Sequence, residues 1–371
     1  MKIFFDDGSR IYQNTGYGNL ARSLAQSLAQ INGVYLYINK PIQVDPGIDL
    51  TNILAYDNIS VFDNQSIDFI FQLGTPLLSN RKGTKVILYT QNALGGLRED
   101  WKEVIRQVEG VIVPGEFDRE FFEKLNPLTY TCTQAVDNEN FIHQPKFRAE
   151  GHSEFTFLFV GSFSYRKGVD LLLNGLSKAF SNTQKKAHLH MICPTGLGQA
   201  EYNLSYLIEM SRQAPDNLTI TCDSRLLTTA WMRRNYNRVD AVITMSRGEG
   251  WCMPLHEALL CEKPVIAPDS TAMKEFLPND GVIKLPVTTK LVSEVEGDFG
   301  SSFKSAYGGD DITFDEPSLL HFSEAIEEIM GDYQHYCHGA TVARQKILNE
   351  YNIENNSRHL EKILQSWVKT F

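Results

Sequence analysis

Short apolar runs rich in β-branched and aromatic residues alternate along this chain with longer stretches whose apolar positions recur every three to four residues. The runs at 34–39, 69–73, 85–90, 110–114, 155–161, 188–193, 218–222, 241–245 and 264–267 predict strands. The stretches at 19–30, 118–125, 169–180 and 255–261 predict helices. The N-terminal Met1-Lys2-Ile3-Phe4-Phe5-Asp6-Asp7 reads as a first strand, and it meets acidic residues too soon for a signal peptide. Alternation of this kind means parallel sheets with helices on both faces, an α/β fold.

The pattern runs twice. The first series fades near Phe141, and a polar stretch without apolar period fills 144–153 before a fresh strand begins at Phe155. The expected domains are therefore 1–150, on the side of a second substrate, and 151–350, on the side of the main ligand, followed by a C-terminal helix, 351–371, expected to cross back to the first domain. Late helices are expected near 317–330 and 352–368; in the second, Ile353, Leu360, Ile363, Leu364 and Trp367 fall at helical spacing. The Gly-, Ser- and acid-rich stretch 288–311 predicts a long surface loop.

A length of 371 residues, with 42% hydrophobic and 22% charged, suits two packed cores and argues against disorder. The formal net charge of −10 argues against nucleic acid as a partner, since phosphate-backbone binding needs a basic face. No apolar run reaches the length of a membrane span. The six cysteines form no Cys-x-x-Cys pair, which predicts reduced, mostly buried thiols in a cytoplasmic protein. His188 and His190 alternate on a strand without a third ligand at metal spacing and read as structural.

The densest chemistry lies in Ser246-Arg247-Gly248-Glu249-Gly250-Trp251-Cys252-Met253-Pro254-Leu255-His256-Glu257-Ala258. A strand ends just before it, and a glycine-flanked loop follows. Pro254 suits the first turn of a helix, where its missing N–H costs nothing. Such a helix start offers unpaired N–H groups and the positive end of a dipole, a site for a diphosphate. Glu249 in the loop and Glu257 in the helix can accept hydrogen bonds from hydroxyls on one ligand. Upstream, Val160-Gly161-Ser162-Phe163-Ser164-Tyr165-Arg166-Lys167-Gly168 places two adjacent cations before a helix, suited to pyrophosphate charge. Near the N-terminus, Gly16 and Gly18 open another helix after a loop.

The 246–267 segment resembles the E-x7-E signature of glycosyltransferase family 4, and likeness extends over most of the chain. Val113-Pro114-Gly115-Glu116-Phe117 resembles the family's Pro-Ser-Glu-Phe turn, and Val136-Asp137 its Val-Asp step before the interdomain crossing. The resemblance implies a GT-B architecture, two Rossmann-like domains with parallel sheets facing an interdomain cleft. It implies a retaining, metal-independent transfer of a hexose without any cofactor. In that reading Glu249, Lys167 and Arg166 are the catalytic group, and Glu257 contacts the ribose. The donor-binding set comprises Gly16, Gly18, Ser162, Arg166, Lys167, Glu249, Gly250, Trp251, Cys252, Met253, Pro254, Leu255 and Glu257.

Two departures stand out. Ser162 takes the place of an Arg that many members carry after the glycine, and Arg166 is expected to supply that charge. Gln91-Asn92 stands where many have a His lining the sugar site, so Gln91 and Asn92 are candidates for contacts to acceptor or sugar. Acceptor-side loops are expected at 75–83 and 91–100. The partners expected are a nucleotide-diphosphate sugar and a glycan or glycoconjugate acceptor, and a homodimer is the working expectation for assembly. The 160–167 run resembles the family's mannosyltransferases, and a carboxylate such as Asp223 would suit guanine, so GDP-mannose is the expected donor and UDP-glucose the second.

Other classes fit less well. Gly16-x-Gly18-x-x-Ala21 matches the fingerprint of an NAD-dependent oxidoreductase, but the loop before it is too long and the strand at 34–39 lacks a terminal acid for the ribose. A non-catalytic sugar-binding protein would be expected to lack the basic pair or Glu249, and both are present.

Overall fold

The computed structural model describes every residue except 42, 46–47, 49, 64–65, 77–83, 145–153, 195–199 and 371. The chain forms two compact units. The first comprises Met1–Ala93, Leu97–Asn138 and Leu348–Phe371, and the second Leu94–Gly96 and Glu139–Ile347. Most of the expected 144–153 linker, and the domain boundary placed in it, lie outside the described residues, as do 77–83 of the first acceptor-side loop.

In the first unit seven strands form one sheet: β1 (Lys2–Asp6), β2 (Tyr35–Ile38), β3 (Ile59–Val61), β4 (Phe69–Leu73), β5 (Lys85–Tyr89), β6 (Gly110–Val113) and β7 (Thr129–Thr131). Their order is β3-β2-β1-β4-β5-β6-β7, and every pairing is parallel. Central strands are buried throughout, as Phe-Ile-Phe-Gln-Leu in β4 and Gly-Val-Ile-Val in β6 show. A parallel sheet covered on both faces demands such unbroken apolar runs. The final helix, Ile353–Thr370, supplies Leu360, Ile363, Leu364 and Trp367 to this unit's core beside Ile3, Phe71 and Ile112.

The second unit holds six parallel strands: β8 (Phe155–Val160), β9 (Ala187–Ile192), β10 (Leu218–Asp223), β11 (Ala241–Ile243), β12 (Val265–Pro268) and β13 (Val282–Leu285). Their order is β10-β9-β8-β11-β12-β13. His188 and His190 on β9 both reach the Thr221 hydroxyl on β10, at 2.7 and 3.1 Å, a cross-strand polar pairing.

The stretch 288–311 is not the surface loop expected. It contains most of β14 (Val287–Leu291), a short 3₁₀ turn and the helix Asp298–Tyr307, and β14 pairs antiparallel with β15 (Thr313–Pro317). Its sparse apolar residues explain the discrepancy. Val292, Val295 and Phe303 are buried with Leu94, Ile312 and Phe314 in a small satellite core, too few and too irregularly spaced to register as a period. Between the two expected late helices, which span Leu319–Gly331 and Ile353–Thr370, runs a third, Tyr333–Glu350. Its buried positions are Ala340, Ala343 and Ile347, two of them alanines that hydrophobic patterning underweights.

Candidate functional site

In the second sheet β8 leads outward to β9 and β10 on one side, while β11 lies on the other. The loops after β8 and β11 therefore diverge from adjacent strands, and ligands of open α/β sheets bind in the crevice at such a reversal. The loop after β8 carries Arg166 and Lys167, and the loop after β11 carries Glu249.

The structure brings these three together. Lys167 Nζ lies 2.6 Å from Glu249 Oε1, and Arg166 NH1 lies 3.2 Å from Oε2 and 2.6 Å from the Gly248 carbonyl. Gly168 makes the turn possible. It takes the left-handed conformation at φ 65°, and a Cβ there would stand 1.8 Å from the Met245 carbonyl oxygen. The helix Val169–Phe180 starts directly after it.

Burial alone would raise the Glu249 carboxyl, but Lys167 and then Arg166 more than reverse this and hold it at about 2. Burial would lower the Arg166 guanidinium, and Glu249 outweighs that, so its pKa ends raised. The Glu249 carboxylate is thus held ionised, with Lys167 and Arg166 both bonded to it. A carboxylate so held is a weak base and a weak nucleophile, and a good fixed acceptor of hydrogen bonds.

The helix Met253–Leu260 begins at Cys252, itself left-handed at φ 57°, with Pro254 in the first turn. First-turn N–H groups have no helical carbonyl ahead of them. Leu255 N–H turns back to the Cys252 carbonyl at 3.1 Å. Burial, followed by Glu249, raises the Cys252 thiol, which stays neutral. Glu257 is buried, and its Oε2 accepts from the Tyr236 hydroxyl at 2.7 Å. Trp251 is buried with its ring stacked on His256 at 5.2 Å and tilted against Phe276 at 5.2 Å, so its side chain packs the floor beneath the loop. Burial lowers His256 to about 3, leaving the ring neutral.

The remaining expected site residues make contacts of their own. Ser162 is exposed after β8, its hydroxyl 3.2 Å from that of Ser164. Asp223 is bound by Arg225 through both oxygens, at 3.0 and 2.7 Å. In the first unit Gly16 and Gly18 open the helix Gly16–Ala29, where the Thr15 hydroxyl accepts from Gly18 N–H at 3.0 Å. Gly18 is required by close approach, since a Cβ would stand 2.0 Å from the Gln13 carbonyl oxygen, whereas a Cβ at Gly16 would meet nothing. Gln91 Oε1 accepts from Gln134 at 2.6 Å, and Asn92 N–H donates to Asp118 at 3.1 Å.

Sequence reasoning passed over Arg247, Asp170 and Glu316, an ion cluster in which the Arg247 side chain is buried and the two carboxylates are partly buried. Arg247 lies within the 246–258 motif and Asp170 two residues past Gly168, but no spacing signal links them. Among the described residues no group of three or more His, Cys, Asp or Glu could hold a metal ion, and no helix is long and apolar enough to cross a membrane.

Residues 154–295 match the family model described as Glycosyl transferases group 1. No curated protein matches the chain in sequence. Among solved structures, sucrose-phosphate synthase from Thermosynechococcus elongatus superposes with a TM-score of 0.69 at 13% identity, covering 100% of both chains. Anabaena Alr3699/HepE in complex with UDP and glucose gives 0.65 at 12% identity, covering 98% of this chain and 99% of that one. The same protein in complex with UDP-glucose gives 0.63 at 13% identity, covering 99% and 100%. The fold is the GT-B architecture of two Rossmann-like domains, and with the family match it supports a glycosyltransferase.

Proposed function

We propose that the protein is a retaining glycosyltransferase that moves a hexose from a nucleoside diphosphate sugar to a glycan or glycoconjugate acceptor. The observation that carries this reading is the ion triad of Glu249, Lys167 and Arg166 at the strand reversal of the second sheet. As the bond from the anomeric carbon to phosphate breaks, charge grows on the departing diphosphate. Arg166, Lys167 and the helix start at Met253 meet that charge already oriented, which is where preorganised donors lower a barrier most. Glu249 orients the sugar through its hydroxyls, and Glu257, fixed by Tyr236, receives the ribose. The acceptor oxygen bonds the anomeric carbon on the face the diphosphate leaves, and its proton passes to the leaving phosphate. A carboxylate held at about 2 between two cations is suited to neither base nor nucleophile, which favours this front-face route.

For the donor we propose GDP-mannose, on the likeness of the 160–167 run to mannosyltransferases of the resembled family. Asp223, bound to Arg225, adds no support for guanine. UDP-glucose is the second reading, favoured by the structural neighbour in complex with it. Calorimetric titration with a panel of nucleotide sugars decides between them, and the one-bond carbon–proton coupling at the anomeric centre of the new linkage reads the stereochemistry. An inverted product would refute retention. Lys167→Ala should lower turnover by roughly 100- to 1,000-fold, the size seen when one preorganised transition-state donor is removed.

A further inference from the structure

Arg247 shares a loop with Glu249, yet its side chain is buried and serves the neighbouring loop. Its guanidinium forks onto Asp170, NH1 lying 2.8 Å from Oδ1 and NH2 2.7 Å from Oδ2. NH1 also donates to the Tyr165 carbonyl at 2.6 Å, while the Arg247 main-chain N–H donates to the Arg166 carbonyl at 2.7 Å. A single residue therefore grips the carbonyls on both sides of Arg166. Nε and NH2 reach Glu316 on β15 at 3.4 and 3.3 Å, and the Asp315 N–H donates to the Arg247 carbonyl at 3.0 Å. The guanidinium stands 3.6 Å from the centroid of the Tyr165 ring.

Burying a guanidinium beside two partly buried carboxylates is a poor way to gain stability, because desolvation offsets much of the attraction and apolar packing of the same volume often does as well. Such a cluster does supply a single geometry. A planar fork admits few alternatives, and the guanidinium that forks onto Asp170 also holds the Tyr165 carbonyl, next to the residues Arg166 and Lys167.

We propose that Arg247 is a positioning residue for the transfer reaction: by clamping the backbone of 165–166 against its own loop it sets where Arg166, and Lys167 directly after it, stand relative to Glu249. The inference rests on the reading of the triad as the donor-diphosphate site. Arg247 touches no substrate in this role. Because the two cations meet a diphosphate whose charge grows further in the transition state, their misplacement lowers kcat by more than it raises KM.

Arg247→Lys keeps the charge and loses the fork. The variant should unfold cooperatively, lose far less in donor affinity by calorimetry than in kcat, and show kcat lowered by roughly 100-fold, the order of loss that about 1 Å of misplacement produces. Asp170→Asn, nearly isosteric, should give the same fall, and the double variant should be no slower than Arg247→Lys alone, since both changes break one fork. Wild-type kcat in Arg247→Lys, or a change confined to KM, overturns the proposal. Should that variant not fold, wild-type kcat in Asp170→Asn overturns it equally. A wild-type protein that neither binds nor turns over any nucleotide sugar would remove the transfer reading and this proposal with it.

Discussion

Replacing Glu249 by Gln preserves shape and removes the charge that Lys167 and Arg166 hold. The Glu249 carboxyl is buried, at 5% exposure, and sits at about 2 in place of its ordinary 4.5. A fall from 4.5 to about 2, at ~1.4 kcal/mol for each pH unit, makes the charged form worth roughly 3 kcal/mol to the folded state. The folded-state value lies below the unfolded one. The stabilisation is therefore complete above pH 4.5 and is lost as pH falls toward 2. Glu249→Gln lacks it at every pH, and the two cations left facing an amide add a loss of the same sign. Urea unfolding of the second unit, followed by circular dichroism, should show the variant less stable by about 3 kcal/mol or more at pH 7. At pH 4 the gap should be smaller by about 1 kcal/mol, because the unfolded wild-type chain is by then largely protonated at this carboxyl. A gap that stays constant between those two pH values would refute the argument that the triad holds Glu249 ionised.

Gly168→Ala forces a left-handed residue and drives a Cβ to 1.8 Å from the Met245 carbonyl oxygen, so thermal melts should show at least ~2 kcal/mol of destabilisation, together with lost turnover. Trp367 is fully buried, edge-on to Tyr130 at 5.4 Å, and Trp367→Ala should cost the first unit about 3–5 kcal/mol in denaturant titration. With Arg166 and Lys167 opposing the leaving diphosphate, turnover should persist in EDTA; activity abolished by the chelator and restored by divalent ions would overturn the metal-free route.

The continuous apolar strands were legible because a parallel sheet covered on both faces needs them, and β4, β6, β8 and β12 follow that rule. Edge strands were harder. β3 buries only its first residue, and β7 is three residues long. The loops that hold Glu249, Arg166 and Lys167 were readable because glycines, a first-turn proline and paired charges mark them locally. What joins them was not readable. The Arg247–Asp170 fork spans 77 positions and the Arg247–Glu316 contact 69, and no periodicity encodes a pairing at that separation. Trp251 illustrates the converse: its place in the motif suggests a ligand contact, while its ring packs with His256 and Phe276.

The first unit is assembled from the earliest and the latest parts of the chain, 1–93 and 97–138 with 348–371. During translation its seven strands emerge first, yet Leu360, Ile363, Leu364 and Trp367, which complete the core around them, are made after the whole of the second unit. The second unit can close as soon as residue 347 has left the ribosome, whereas the sheet synthesised first is the one sealed last. A nascent chain halted at that point would present a finished second unit and, at the first, an apolar face wide enough for Trp367 with nothing yet to cover it.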